Sequence, residues 1–126
     1  MSAHELRLIL TVDDLDGALA LYRDALGLQQ LEEWTTETSR GVLLAAGRAT
    51  LELADEGHAA AVDELEVGRR VAGPVRIAFG VDGSAAAADR LVAAGAELVA
   101  GPVETPWGDV NVRLEPPGGV QLTLFS

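Results

Sequence analysis

The chain has 126 residues, of which 20 are acidic and nine are arginine, and its formal net charge is −11. This length supplies the core of a single domain. The negative charge disfavours polyphosphate backbones and anionic bilayers, so we expect neither nucleic acid nor a membrane as partner. Cysteine is absent, which excludes disulfides, thiolate metal sites and cysteine nucleophiles. The first residues do not resemble a secretory signal, and we therefore expect a cytoplasmic location.

An alternating stretch, ELRLILTVDD, opens the chain and predicts a β-strand. Its leucines fall on one face, and Arg7 falls on the other face with Ile9 and Thr11. A helix follows, with Asp14 as its predicted N-cap. Three strands then follow, in the stretches LQQLEEWTT, GVLLAA and ATLELA.

The same order of elements is predicted a second time. The phrase RLILTVDD returns as RIAFGVDG, in which Arg76 takes the place of Arg7. Ser84 is the predicted cap of the second helix, and strands are predicted in AELVAGPVET, DVNVRLE and GVQLTLF. The sequence therefore predicts one domain, residues 1–126, with halves of about 5–54 and 74–126. A connector of 55–73 joins them and holds a short helix around His58 to Leu65.

One face of the predicted sheet collects polar residues. If the leucines and valines of each strand pack against the helices, the alternate positions form an open face. On a concave face, the guanidinium groups of the arginines would bind a carboxylate or phosphate through paired hydrogen bonds. The ordinary alternative is that the arginines form ion pairs with acidic residues of the neighbouring strands. The polar side chains on this face are those of Arg7, Glu52, Arg76, Asn111, Arg113, Gln121 and Thr123.

The chain resembles the vicinal oxygen chelate superfamily, which includes glyoxalase I, bleomycin resistance proteins and extradiol dioxygenases. The resemblance is carried by DLDGALALYRDALGL, ATLELA and PPGGVQLTLF, and it spans Leu6 to Phe125. It implies an α+β fold of two tandem βαβββ modules that form a curved mixed sheet with an open cleft. It also implies a homodimer, and it leaves the activity open because the scaffold hosts several chemistries.

Catalytic members of the superfamily usually hold a divalent metal with four strand residues. The resemblance places Arg7, Glu52, Arg76 and Thr123 at these positions. A guanidinium carries a permanent positive charge and donates no lone pair, so we expect no metal ion and no other cofactor. His4, placed outside the first strand, and His58, placed in the connector, are interpreted as surface histidines.

Two tryptophans and one glutamate complete the candidate site. Trp107, in a turn of the second half, and Trp34, on the second strand, could stack on a flat ligand or serve as core or dimer contacts. Glu52 is the candidate general base, although neighbouring arginines would keep it ionised.

Three hypotheses about function follow from the sequence. The first is a metal-independent protein of the bleomycin-resistance kind that binds a small anionic or polar molecule through Arg7, Arg76 and Arg113, with Asn111 and Thr123 nearby. The second is a lyase, isomerase or dioxygenase of the same fold. The third is a relative in fold only, in which the arginines and Glu52 form a structural ion-pair cluster.

Overall fold

A computed structural model describes residues 3–126, which form one eight-stranded sheet with helices on both of its faces. The order of elements is the predicted one, a strand, a helix and three strands, which occurs twice. The elements of the first half are β1 (Ala3–Thr11), α1 (Leu15–Leu19), a π-helical turn (Ala20–Ala25), β2 (Gln30–Thr35), β3 (Arg40–Ala46) and β4 (Ala49–Ala54). After them come α2 (Glu56–Glu66), β5 (Val75–Val81), α3 (Ser84–Ala93), β6 (Glu97–Glu104), β7 (Val110–Glu115) and β8 (Gln121–Phe125).

The sheet is curved and unclosed, with the strand order β2-β3-β4-β1-β5-β8-β7-β6. The two halves meet in the middle, where β1 and β5 pair antiparallel, while β1 pairs parallel with β4 and β5 pairs parallel with β8. The predicted α+β class with two tandem βαβββ modules is therefore confirmed. The module limits of 5–54 and 74–126 stay a prediction.

Two apolar clusters, one for each half, hold the first and third helices to the sheet. Strand residues of alternating spacing supply one side of each cluster, as the sequence predicts, and the helices supply the other. Leu19 of α1 is 2 % exposed and packs with Val42, Leu44 and Leu53, while Ala87 of α3 packs with Val112, Leu114 and Leu124. Both clusters lie on the same face, so the opposite face of the sheet is left for the connector.

The helix termini match the prediction at one place and differ at another. The Oδ1 atom of Asp14 accepts a hydrogen bond from the N–H of Gly17 at 2.9 Å, as an N-cap should. The prediction for Ser84 is wrong, because Gly83 holds the cap position with a left-handed backbone and Ser84 is the first helical residue. Its hydroxyl donates instead to the Val110 carbonyl oxygen at 2.7 Å, which ties α3 to β7.

The connector contributes a helix longer than predicted. Helix α2 spans Glu56–Glu66 and is capped by Asp55, whose Oδ1 atom accepts from the N–H of His58 at 2.8 Å. It lies over the face of the sheet opposite the apolar clusters, where it turns the open face into a cavity. Among residues 3–126, no helix is long and apolar enough to cross a membrane.

Helix α2 approaches the turn between β2 and β3 so closely that only glycine fits at position 57. A Cβ atom on Gly57 would lie 2.1 Å from the backbone carbonyl oxygen of Thr38. Backbone at both sides of the contact leaves no flexible side chain to yield. The position of α2 against the sheet therefore depends on this glycine.

We expect Gly57→Ala to lower the free energy of unfolding by about 1–3 kcal/mol, because the added methyl group overpacks a backbone contact. In an open helix the same change is stabilising by up to about 1 kcal/mol, so the sign itself is diagnostic. Urea unfolding measures the free energy of unfolding. Ala61→Gly, on the exposed side of the same helix, is the matched control, because there the protein with alanine should be the more stable one. A Gly57→Ala protein at least as stable as the parent would contradict the close contact.

Candidate functional site

A cavity of about 340 Å³ lies between the concave face of the sheet and α2. Strands from both halves form its floor, α2 closes one side, and the edge strand β2 and the turn before β7 form its rim. The size is at the lower end of the range of small-molecule pockets. Its lining residues are Arg7, Ile9, Glu32, Trp34, Glu52, His58, Val62, Glu66, Arg76, Ala78, Trp107, Asp109, Asn111, Thr123 and Phe125.

Most of the candidate residues from the sequence meet in this cavity. The ones that line it are Arg7, Trp34, Glu52, Arg76, Trp107, Asn111 and Thr123. Arg113 is placed differently, because it does not line the cavity and its guanidinium is fully buried among carboxylates. The candidate site is therefore built by both halves of one chain.

Arg7 and Glu52 form an ion pair in the cavity wall. The Nη1 atom of Arg7 lies 3.3 Å from Oε1 of Glu52, and its Nη2 atom lies 3.0 Å from Oε2 of Glu5. The guanidinium also stacks over the ring of Phe125, 5.2 Å from the ring centroid. Arg7 is thus fixed by two carboxylates and an aromatic ring, and its charge is compensated.

Arg76, the counterpart of Arg7 in the second half, is compensated much less. It is 8 % exposed, and its Nη1 atom donates to the Thr123 hydroxyl at 2.6 Å. Within residues 3–126 no carboxylate oxygen lies within 4.0 Å of its guanidinium. Burial lowers the pKa of Arg76 and the positive charge of Arg113 lowers it further, against the weaker opposing effect of the carboxylates of Glu66, Glu52 and Asp63.

The register of the sheet explains why the two arginines differ. Ile9 of β1 pairs with Glu52 of β4 on one side and with Arg76 of β5 on the other. Glu52 and Arg76 are therefore two strands apart, roughly 10 Å between backbones, whereas Arg7 is on the strand next to Glu52. The apolar side chain of Ile9 fills the position between the carboxylate and Arg76.

A buried ion cluster fastens α2 to the floor of the cavity. Arg113 of β7 donates to Asp63 at 2.7 Å and to Glu66 at 2.9 Å, and both acceptors are on α2. The amide of Asn111 donates to the other oxygen of Glu66 at 3.0 Å. Glu66 also lines the cavity, so the cluster sets the position of one cavity carboxylate directly.

Asp63 accepts four hydrogen bonds that organise the end of the connector. Besides Arg113, its donors are Arg70 at 2.9 Å and the backbone N–H groups of Val71 at 2.8 Å and Ala72 at 2.9 Å. Burial by itself raises the pKa of Asp63, but these donors outweigh burial and hold the pKa at about 2. Asp63 is therefore ionised in the folded protein at neutral pH.

Aromatic residues form two walls at the rim. The rings of Trp34 and His58 are stacked, with centroids 5.7 Å apart and an interplanar angle of 18°. Across the cavity, the indole N–H of Trp107 donates to Oδ2 of Asp109 at 3.1 Å, and Trp107 is 53 % exposed. Both tryptophans of the chain thus border one cavity, on strands or turns from opposite ends of the sheet.

The interpretation of His4 as a surface histidine holds although its placement outside the first strand is wrong, and the interpretation of His58 as a surface histidine is wrong. His4 is exposed but lies inside β1, which begins at Ala3. The His58 side chain is 15 % exposed, and its Nε2 atom is 3.9 Å from Oε2 of Glu52, so it is a residue of the cavity wall. The position of His58 in the cavity wall could not be predicted from the connector sequence, because it depends on how α2 packs against the sheet.

Besides His58, seven lining residues were not among the candidate site residues from the sequence: Ile9, Glu32, Val62, Glu66, Ala78, Asp109 and Phe125. Glu66 and Val62 are on α2, and Glu32 and Asp109 lie two positions from the two tryptophans. For Glu32 the strand pattern offered a signal, because residues i and i+2 of a strand share a face and Glu32 is two positions before Trp34. For Glu66 no local signal existed, since its role depends on where α2 lies.

The residues at the four positions of the superfamily metal site do not suit a divalent cation. Arg7 and Arg76 bring permanent positive charge and no lone pair, and the Thr123 hydroxyl is already bonded to Arg76. Glu52 is left as a single carboxylate donor, itself paired with Arg7. Among residues 3–126, no group of three or more histidines and carboxylates is placed to hold a metal ion.

The comparisons with known proteins agree with this architecture. A curved sheet of two βαβββ halves around a central cavity defines the fold class, and the family model of the Glyoxalase/Bleomycin resistance protein/Dioxygenase superfamily matches residues 5–124. The chain belongs to this superfamily. A search among curated proteins found no significant match.

Solved structures with the same fold include two methylmalonyl-CoA epimerases. A variant of the Streptomyces coelicolor enzyme, in complex with 2-nitronate-propionyl-CoA, has 22 % identity and a TM-score of 0.67, covering 98 % of this chain and 97 % of that chain. The Mycobacterium tuberculosis enzyme has 23 % identity and a TM-score of 0.64, with coverages of 98 % and 85 %. A hypothetical protein from Bacillus halodurans C-125 has 20 % identity and a TM-score of 0.69, with coverages of 94 % and 90 %. At such identities the similarity establishes the fold alone.

The low pKa of Asp63 predicts a pH dependence of stability. The folded pKa of about 2 lies below the ordinary value of 3.8, so the ionised form stabilises the fold above about pH 4 and this contribution is lost as the pH falls toward 2. We expect the loss to be about 2 kcal/mol in the parent protein and to be absent in Asp63→Asn. Urea unfolding at pH 5 and at the lowest pH where the fold persists measures the difference, with Asp89→Asn as an exposed control. Equal pH dependence in parent and Asp63→Asn would contradict the role of Asp63.

Proposed function

We propose that this protein binds a small anionic molecule in the cavity without a metal ion, and that Arg76 is the principal anchor. The observation that carries the proposal is the state of Arg76, a buried guanidinium in the cavity wall whose single side-chain partner within residues 3–126 is a hydroxyl. An uncompensated buried charge is costly to a fold. A bound carboxylate or phosphate would offset that cost by bidentate, charge-assisted hydrogen bonds.

Thr123 supports the anchor by orienting it. Its hydroxyl accepts one N–H of Arg76, which leaves the remaining donors of the planar guanidinium for a ligand. A second wall atom also lacks a partner, because Oδ1 of Asn111 is buried with no hydrogen bond within residues 3–126. A donor group on the ligand would satisfy it. Trp34 and Trp107 are proposed to contact the rest of the ligand.

Arg7 takes a supporting role in the proposal. Its pairing with Glu5 and Glu52 removes it as a free anion site, and it instead fixes the Glu52 carboxylate at the edge of the ligand position. Arg113 is proposed to act indirectly, without contacting the ligand, by holding α2 and Glu66 in place. Of the three arginines in the hypothesis from the sequence, we therefore assign direct ligand contact to Arg76 first.

Arg76→Gln tests the proposal through two signs. Without ligand we expect the free energy of unfolding to change by less than about 1 kcal/mol or to increase, because a buried charge without a partner is removed. We expect the rise in melting temperature caused by small carboxylates and inorganic phosphate to be lost, since a ligand stabilises only a state that binds it. Thermal unfolding with and without each anion measures both.

Arg48→Gln, at an exposed position in the turn between β3 and β4, is the matched control and should keep the anion-dependent shift. Two results would count against the proposal. One is a loss of about 3 kcal/mol in ligand-free Arg76→Gln, which would mark a structural arginine. The other is an anion-dependent shift of the same size in Arg76→Gln and in the parent.

An enzyme of the superfamily is the second candidate, favoured by the arrangement of Glu52 and His58. Oε1 of Glu52 is held by Arg7, while Oε2 lies 3.9 Å from Nε2 of His58. A carboxylate and an imidazole at this distance could pass a proton to or from a carbon next to the carbonyl of a bound acid. The reaction class would be an isomerisation or a lyase reaction, with Glu52 as base.

Proton exchange tests this second candidate. We expect the parent to exchange the α-hydrogens of a bound 2-oxo acid with deuterated water, and Glu52→Gln to slow this by at least about 100-fold. Proton NMR follows the exchange, with Glu37→Gln on the exposed β2–β3 turn as the control. If acids that raise the melting temperature undergo no exchange in the parent, binding without catalysis is supported.

The remaining expectations from the sequence stay proposals. They are association as a homodimer, a cytoplasmic location and the absence of a nucleic-acid partner. The alternative of a relative in fold only would require the arginines and Glu52 to form a closed structural cluster. Against it stand the cavity itself and the lack of a carboxylate at Arg76 within residues 3–126.

A further inference from the structure

Some charged residues of the cavity take part in ion pairs and others do not. Four lining residues are acidic, and two are arginine. Glu52 is paired with Arg7, which it shares with Glu5, and Glu66 is paired with Arg113, which it shares with Asp63. The charged lining residues for which no ion pair occurs among residues 3–126 are one cation, Arg76, and two carboxylates, Glu32 and Asp109.

These unpaired charges lie at different depths. Arg76 and Thr123 are 8 % and 2 % exposed and belong to the floor. Glu32 is exposed on β2, and Asp109 is half-buried in the turn before β7, so both are at the mouth. The charged groups without an ion pair are thus a cation on the floor and a carboxylate on each side of the mouth, and the two mouth carboxylates come from opposite ends of the sheet.

Each mouth carboxylate is accompanied by a tryptophan. Glu32 is two residues before Trp34 on the same strand face, and Asp109 accepts the indole N–H of Trp107 at 3.1 Å. The face of an indole attracts cations, most strongly those with dispersed charge such as quaternary ammonium groups. Two indoles and two carboxylates around one opening form a binding place for a cation.

We infer that the ligand is a small zwitterion, whose acidic group binds Arg76 on the floor and whose ammonium group lies at the mouth between Trp34, Trp107, Glu32 and Asp109. This rests on the proposed function, because it adds the second charge to the same ligand. A simple anion would satisfy Arg76, but Glu32 and Asp109 at the mouth would repel it, in a chain whose net charge is already −11. A zwitterion satisfies the floor and the mouth together.

The inference is tested with two matched probes. One is γ-butyrobetaine, a carboxylate joined to a trimethylammonium group, and the other is 5,5-dimethylhexanoate, in which carbon replaces the quaternary nitrogen. The two have nearly the same shape and differ in the positive charge. Isothermal titration calorimetry and quenching of tryptophan fluorescence measure their dissociation constants in low salt, where screening is weakest.

We expect the parent to bind γ-butyrobetaine at least about fivefold more tightly than 5,5-dimethylhexanoate, a factor in keeping with one cation–π contact and weak ion pairs at the surface. In the double variant Glu32→Gln with Asp109→Asn, the preference should shrink to the part that the two indoles supply. Glu37→Gln, which changes an exposed carboxylate away from the cavity, should preserve the preference. Arg76→Gln should weaken both probes.

The possible failures are distinguishable. If both probes bind equally in the parent and lose affinity in Arg76→Gln, the zwitterion is overturned while the anion site stands. If the preference for γ-butyrobetaine is undiminished in the Glu32 and Asp109 double variant, the assignment of the mouth is overturned. If neither probe binds and no small anion raises the melting temperature, the proposed function and this inference are both overturned.

Discussion

The buried guanidinium of Arg113 is the interaction on which the rest of the site depends. It has no exposed side-chain surface and binds Asp63 and Glu66 of one helix from a strand of the sheet. Without it, the buried Glu66 carboxylate would keep only the neutral amide of Asn111 as its partner, and Asp63 would lose its bond to the sheet. With it, the connector becomes the wall that converts an open face into a cavity.

The fold was accessible from the sequence because its determinants are local. Alternation in the stretches around Arg7 and Arg76 predicts strands, Asp14 predicts a helix start, and the repeat predicts two equivalent halves. Where local signals were ambiguous the prediction failed, as at Ser84, whose hydroxyl serves β7 instead of its own helix. The π-helical turn Ala20–Ala25 carries no sequence signal that periodicity detects.

The candidate site was accessible only in part, for a physical reason. Residues on strands could be placed on a face by counting in twos, which brought Glu52, Arg76 and Thr123 together correctly. Which side chains pair depends on strand order and register, and these decide that Arg7 reaches Glu52 while Arg76 does not. His58 and Glu66 depend on the docking of α2, a long-range event that no short stretch encodes.

The antiparallel pairing of β1 with β5 has a consequence for how the chain must fold. Each half supplies the strand that covers the inner edge of the other half. A half made alone would present a bare strand edge flanked by exposed Leu6 and Leu8 or by Val75, which is the kind of surface that recruits other chains. Internal duplication here thus acts as protection, because in the folded chain each repeat covers the inner strand edge of the other.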